Sequence, residues 1–285
     1  MQDPIRLDRC ETGLDESHSD AMRIAAERLR QSLRVVVFTG AGVSAESGIP
    51  TFRDDEGFWS RFPVEEFGTW WGIARTGLFK TAELAGFLRA FLEPIANATP
   101  NAAHQAIALL GRHVATSVIT QNVDGLHQEA GSAAVDEIHG SFFRLVDGAG
   151  KGCGTIDRNQ LKGILRQLGE LGQTMGVRQL LRALHPMLQV SPGAVVRPNV
   201  VLFGAALAEP DWTSAQNEVK RCDLLISVGT SGAVAPAAGL PERAVERGAF
   251  LIHIDPAVPP AHANAVWLQG SAGEVVPRLL RAAFG

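Results

Sequence analysis

The sequence predicts an α/β fold, a doubly wound (Rossmann-like) parallel sheet with a small helical lobe inserted into it. Three observations carry this expectation. Apolar β-branched runs alternate with helical patterns along most of the chain. The first of these runs, Val35-Val36-Val37-Phe38, enters the glycine-rich stretch Gly40-Ala41-Gly42-Val43-Ser44-Ala45 without a break, and one segment, 147–196, departs from the alternation. Alternating strands and helices build a parallel sheet covered on both faces. A strand running into a glycine-rich turn presents backbone N–H groups to a pyrophosphate.

Residues 1–18 are polar and lack a clear period, so they read as a loose leader. Ser19-Asp20 can cap a helix carrying Met22, Ile24, Ala25, Leu29 and Leu33, which feeds a first strand at 34–38. Gly40 is expected to take the tight turn and Gly42 to remove the side chain that would obstruct a phosphate; Ala45 is small enough for the next helix to pack on the strand. By themselves these glycines fit a merely structural turn equally well. Residues 54–80, with Gly57-Phe58-Trp59 and Trp70-Trp71-Gly72, show little periodicity and read as a mobile aromatic loop beside the ligand. Leu84, Phe87, Leu88, Phe91 and Leu92 recur at helical spacing up to Pro94, and Asn101 opens a helix ending near Gly111.

Strands near 115–120, 223–228, 249–254 and 264–268 then alternate with helices near 123–129, 210–221, 236–247 and 272–283. In 147–196 a glycine cluster around Cys153 precedes two helical patterns, 157–170 and 177–188. The second carries Val177, Leu180, Leu181, Leu184 and Leu188. The expected organisation is a leader 1–18, an α/β dinucleotide-binding domain from 19–146 and 197–285, and a lobe 147–196.

The composition narrows the function. With 285 residues and 46% hydrophobic content the chain can bury a sizeable core. A net charge of −4, with 26 scattered Lys and Arg, offers no electrostatic basis for binding nucleic acid. No apolar run is long enough to span a bilayer, and the polar start lacks a signal peptide's apolar segment. Three widely spaced cysteines, Cys10, Cys153 and Cys222, argue against a disulfide framework and for a reducing compartment, so a cytoplasmic protein is expected.

Polar clusters follow the later strands too: Gln121-Asn122-Val123-Asp124-Gly125-Leu126-His127, Ile138-His139-Gly140 and Gly229-Thr230-Ser231. Each sits at a strand's C-terminal end, where open α/β sheets bind ligands. With these segments in view the chain resembles the sirtuins, NAD-dependent protein deacylases, over roughly 20–145 and 197–284. The shared motifs are GAGxSxxSGIPxFR, TQNxDxLH, HG, RPxVVxFG and GTSxxVxPAA.

The resemblance implies NAD over the strand ends, its pyrophosphate at Gly40, Ala41, Gly42 and Ala45, with Gly229, Thr230, Ser231, His253, Asp255 and Ala272 around phosphate and adenosine. Asn122 and Asp124 would hold the nicotinamide carboxamide, and Gln121 the nicotinamide ribose. Thr51, Phe52, Arg53 and Trp59 would come from the covering loop, Phe52 limiting attack by water. His139 is the expected catalytic base, assisted by Asn122, since an imidazole with a pKa near 6.5 can take a proton from a ribose hydroxyl. His104 and His127, at helical positions, read as packing residues. Val200, Val201, Phe203, Gly204, Gly232 and Val234 would bind an extended acyl-lysine peptide through main-chain groups. The implied products are nicotinamide, deacylated lysine and an O-acyl-ADP-ribose. Two other uses of the pocket stay open: an ADP-ribosyltransferase or NAD glycohydrolase, and an NAD-sensing module without turnover.

The chain also departs from the family. Sirtuins carry a zinc ribbon in the place of 147–196, and a structural zinc needs about four ligands; only Cys153 is present, so no structural zinc is expected. Phe203-Gly204-Ala205 replaces the family's Phe-Gly-Glu, and His253 stands where an asparagine is usual. In members that remove acidic acyl groups a Tyr-x-x-Arg pair precedes the Pro-Asn-Ala-Ala-His segment. Here its positions hold Gly86 and Arg89, which leaves two readings of Arg89, an acyl-carboxylate partner or a solvated helix arginine, and makes Gly86 a candidate for widening the acyl channel.

Overall fold

The computed structural model describes residues 11–51, 58–171, 176–191, 194–258, 262 and 264–285, without the side chains of 11–18, 59, 60 and 171. The strands among them are β1 (Arg34–Thr39), β2 (Ala115–Thr120), β3 (Val135–Glu137), β4 (Gly140–Val146), β5 (Gly152–Thr155), β6 (Gln189–Ser191), β7 (Ala194–Val200), β8 (Leu224–Val228), β9 (Phe250–Ile254) and β10 (Ala265–Leu268). The helices of the first half are α1 (Glu11–Gln31), α2 (Phe58–Arg61), α3 (Val64–Phe67), α4 (Trp70–Phe79), α5 (Thr81–Asn97), α6 (Ala102–Leu110) and α7 (Leu126–Glu129). They are followed by α8 (Arg158–Leu171), α9 (Val177–Leu184), α10 (Asp211–Arg221), α11 (Leu240–Glu246) and α12 (Ala272–Phe284).

Six strands form one parallel sheet in the order β3-β2-β1-β8-β9-β10. The central strand β1 sets Val37 beside Val118 on β2 and Ile226 on β8. The order in which the chain adds its parallel strands reverses between β1 and β8, and at such a switch point the loops leaving the two strand ends part and open a crevice. Helices α1, α6 and α12 bury Leu29, Ile107 and Leu279 against one face, while α10 and α11 bury Val219 and Leu240 against the other. Full burial of such a side chain is worth about 1.5–3 kcal/mol, which is why the strands read as continuous apolar runs.

The second sheet is antiparallel, in the order β5-β4-β7-β6. It shares a core with α5, α8 and α9 around Leu92, Leu161, Ile164 and Leu180. The two helices expected between 147 and 196 are therefore present, and the short strands β5 and β6 accompany them. Those strands are three or four exposed residues each, too short and too polar to show a period-two pattern.

Two expectations are corrected. Helix α1 begins at Glu11, so part of the expected leader is helical and Ser19-Asp20 lies inside the helix, not at its cap. Polar residues at 11–18 hide the helix because the apolar stripe starts only at Met22. The region 58–79 is three short helices rather than a loop. Helices of four to ten residues fall below the span over which periodicity can be read. Phe58, Phe62, Phe67 and Phe87 pack there with ring centroids 4.7–5.6 Å apart.

Candidate active site

The strand ends converge on one cavity of about 1680 Å³, well above the roughly 300–1,000 Å³ of a typical small-molecule pocket. Its floor is the contact between the loops that leave β1 and β8. Gly40 N donates to Val228 O at 3.2 Å and Gly42 N to Gly229 O at 3.1 Å. A Cβ on Gly40 would lie 2.7 Å from Gly229 O, and one on Gly42 would lie 2.6 Å from Gly229 Cα. Gly40 is extended (φ −126°, ψ −168°), so it is not the tight-turn residue expected from the sequence. Both glycines are required because another backbone lies against them. The following segment, Ala41–Ser47, is a 3-10 helix that ends at the left-handed Gly48 (φ 83°).

Beneath this loop lies a buried polar network. Ser44 Oγ donates to Asp124 Oδ2 at 2.7 Å and accepts from Asn122 Nδ2 at 3.0 Å. Asn122 Nδ2 also reaches Gly40 O at 3.1 Å, and Asp124 Oδ1 accepts from Leu126 N at 3.0 Å. Asn101 caps α6 through Ala103 N, accepts from His104 Nδ1 at 3.0 Å and donates to Val43 O at 2.8 Å. Thr39 Oγ1 gives its proton to Thr120 Oγ1 at 2.8 Å, so His127 Nε2, 3.0 Å away, is the donor to Thr39. Burial lowers the pKa of His104 and, with His104 adding, that of His127 to about 3. Both rings are neutral near pH 7 and brace the loops.

His139 occupies the turn between β3 and β4. Its Nδ1 lies 3.0 Å from Gln121 O; a carbonyl only accepts, so Nδ1 carries the proton and the neutral ring keeps its lone pair at Nε2. Burial lowers the pKa of this imidazole, with the Gln121 contact opposing. The glycine after it is demanded by packing: Gly140 has φ 77°, and a Cβ there would stand 1.7 Å from Asn199 O on β7. His139 O accepts from Val201 N at 2.9 Å, which seats the Val200–Gly204 stretch beside the ring. Behind the turn, buried Glu137 and Asp211 both pair with Arg144, at 3.3 and 3.0 Å.

Of the residues expected in the site, the cavity wall contains Gly40, Ala41, Gly42, Ala45, Thr51, Gln121, Asn122, Asp124 and His139. It also contains Val200, Val201, Phe203, Gly204, Gly229, Ser231, Val234, Asp255 and Ala272. Thr230 is buried and bonded to Ser227 at 2.7 Å, and His253 is buried within β9, so neither belongs to the wall and His253 does not face solvent. Gly232 is an exposed left-handed residue (φ 65°) outside it. Phe52, Arg53 and the side chain of Trp59 lie outside the described residues. Arg89 is corrected: it is exposed on α5 and absent from the wall. So is Gly86, which is exposed, would have nothing within 4 Å of an added Cβ, and does not widen the channel. The face that α5 does turn to the cavity is Leu84, Phe87, Leu88, Phe91 and Ile95.

Sequence reasoning missed Glu46, whose Oε1 accepts from Gly273 N at 3.1 Å and ties α12 to the glycine-rich loop. It also missed Arg197, which lines the cavity with its guanidinium 4.5 Å from the Trp70 ring centre. Glu46 carried no local signal, because its partner is distant in sequence; Arg197 opens the RPxVVxFG motif, but nothing local placed it in the cavity wall against Trp70.

A 3-2-1-4-5-6 parallel sheet with a glycine-floored cavity at its switch point, and a neutral imidazole in the wall, defines a dinucleotide-using α/β protein with a small second lobe. The chain belongs to the Sir2 family, the sirtuins, whose model matches residues 40–236. It is 41% identical to NAD-dependent protein deacylase 1 of Pseudomonas aeruginosa, over 92% of this chain and 99% of that one. It is 38% identical to an NAD-dependent protein deacylase of Mycobacterium tuberculosis, over 87% and 97%. A Sir2 homolog solved as its NAD complex superposes with a TM-score of 0.70 at 34% identity, covering 90% of this chain and 92% of that one.

Proposed function

We propose that this chain is an NAD-dependent protein-lysine deacylase that yields nicotinamide, the deacylated lysine and an O-acyl-ADP-ribose. The observation that carries the reading is the His139 ring, fixed through Nδ1 with Nε2 free, in the wall of a cavity floored by Gly40, Gly42 and Gly229. Family membership supports it, as do relatives named as NAD-dependent protein deacylases.

The residues present fit NAD. Small residues at Gly40, Ala41, Gly42, Ala45 and Ala272 leave the floor clear for a pyrophosphate, and Ser231 offers a hydroxyl beside it. Asp255 is buried, with Oδ1 accepting from Ala257 N at 2.9 Å, and its second oxygen suits a ribose hydroxyl. Asn122 spends its NH₂ group on Gly40 O and Ser44, leaving its carbonyl oxygen for a carboxamide N–H. When bound, NAD supplies a glycosidic bond that releases nicotinamide and a ribose that accepts the acyl group. His139 holds a lone pair at Nε2 and takes a proton from a hydroxyl there. The Val200–Gly204 and Ala233–Val234 backbones receive an extended acyl-lysine peptide.

The same reading extends to the lobe, which we take to be held by burial around Leu161, Ile164 and Leu180 with no structural zinc. Its single cysteine, Cys153, is exposed. Among the described residues no helix is long and apolar enough to cross a membrane, and we place the protein in the cytoplasm, without nucleic-acid partners.

The test is mass spectrometry of the protein with NAD and acyl-lysine peptides. Peptide-dependent nicotinamide release with O-acyl-ADP-ribose, abolished in His139→Ala with NAD binding retained, is expected. Nicotinamide release without peptide, or ADP-ribose added to protein, would move the assignment to a glycohydrolase or transferase.

A further inference from the structure

At one end of the cavity α4 packs on α9, and Leu78 of α4 and Leu181 of α9 line the wall while staying 61% and 41% exposed. These two leucines mark its rim. The surface outside the rim is apolar and cationic. Trp71, Arg75 and Leu78 follow at i, i+4 and i+7, so they share one face of α4, and Trp71 and the nearby Phe79 are each 80% exposed. Neither Trp71 nor Phe79 belongs to the cavity wall. On α9, Arg178, Leu181 and Arg182 share a face at i, i+3 and i+4. The charged residues of α4 and α9 are Arg75, Arg178 and Arg182; all are exposed, and among the described residues none is in an ion pair. On the adjoining helices Glu66 and Glu83 are both held by Lys80, leaving Glu65 as the other acid of α3. Residues 147–196 carry six Lys and Arg against three Asp and Glu, in a chain whose net charge is −4. Two of those acids, Asp147 and Asp157, accept from the backbone amides of Ala149, Lys151 and Gln160.

We propose that the outer faces of α4 and α9 form a docking surface for a segment of another protein that combines acidic with large apolar residues. Its apolar side chains cover Trp71, Leu78, Phe79 and Leu181, which together form the kind of exposed patch that marks an interaction site. Its carboxylates take Arg75, Arg178 and Arg182, whose planar guanidinium groups bind a carboxylate through two parallel hydrogen bonds. Tryptophan, phenylalanine and arginine without lysine are the composition of an interface centre, not of ordinary surface. Charge decides the occupant. A second copy docking through the same patch about a two-fold axis would set arginine against arginine. Three arginines in a chain of net charge −4 are too few for a nucleic acid, whose binding rests on many phosphate contacts. The surface lies outside the dinucleotide floor, so the proposal stands apart from the deacylase reading.

The probe is a displayed library of random peptides, selected on the original chain and counter-selected on the double variant Arg178→Glu, Arg182→Glu. Recovered sequences should combine Asp or Glu with Leu, Phe or Trp. By fluorescence anisotropy, a labelled recovered peptide should bind about tenfold more weakly to the double variant, to Arg75→Glu and to Trp71→Ala. Raising the salt from about 0.1 to about 1 M, which shortens the screening length from about 10 to about 3 Å, should weaken it similarly. All four substituted positions are exposed and outside the cavity wall, so Tm should not change. A copy of the peptide with Lys for each Asp and Glu should prefer the double variant to the original chain, a gain that misfolding cannot produce. An empty selection, recovered peptides without acids, or equal affinity for all three variants would overturn the proposal. So would tighter binding of an oligonucleotide or of anionic vesicles to these arginines, or self-association of the chain that the double variant abolishes. Each of these outcomes leaves the deacylase reading standing, because no step of the test uses catalysis.

Discussion

Replacing Glu137 by Gln should remove a pH-dependent loss of stability. Glu137 ends β3 two residues before His139 and is 4% exposed. Burial pushes its carboxyl from an ordinary value near 4.5 up to about 7, with Asp211 adding and Arg144 opposing. A folded-state pKa above the unfolded one means that the folded chain holds the proton more tightly. Its stabilising contribution is complete below about pH 4.5 and is lost as pH rises through about 7. At about 1.4 kcal/mol per pH unit, a rise from 4.5 to about 7 is worth about 3 kcal/mol. The glutamine carries the neutral form at every pH. Urea unfolding of both proteins between about pH 4 and 8 should therefore show the stability of the original chain, relative to Glu137→Gln, falling by about 3 kcal/mol. Half-buried Asp136, raised to about 6, titrates in both proteins and cancels in the comparison. Parallel curves would refute the reasoning. A variant that loses ground as pH rises would show that Glu137 works as Arg144's charged partner.

Three further outcomes are expected. Because burial lowers the His139 pKa, the acid limb of the kcat/KM profile should fall below the ordinary 6.5, keeping the base neutral in mildly acidic buffer; a midpoint at or above 6.5 would remove this imidazole as the titrating group. Gly42→Ala places a methyl 2.6 Å from Gly229 Cα, between two backbones that cannot rotate away, and should cost about 1–3 kcal/mol in thermal unfolding and weaken NAD binding. Unchanged Tm and affinity would mean that the loops separate freely. Dialysis against a chelator should leave unfolding and activity unchanged, and elemental analysis should find no stoichiometric zinc; a metal-dependent Tm would show that the lobe is built on a site formed otherwise.

The sequence by itself determined the sheet and the residues that could do chemistry. Strands β1, β8 and β9 are buried along nearly their whole length, so each is a mostly apolar run whose polar C-terminal neighbours stand out, and β2 carries the same signal in its buried Val118-Ile119. Gly40, Asn122, His139 and Gly229 were legible for that reason, and their motifs named the family. The short helices α2 to α4 and strands β5 and β6 were not legible, since elements this short show no period and are formed by what packs on them. Only the tertiary structure decided why Gly42 must be a glycine, since its neighbour Gly229 is 187 residues away. Tertiary structure also fixed the tautomer of His139 through the Gln121 carbonyl, turned Arg89 to solvent, and brought the leucines of α9 opposite those of α5. Each depends on contacts between segments distant in the chain, and local spacing carries no record of them.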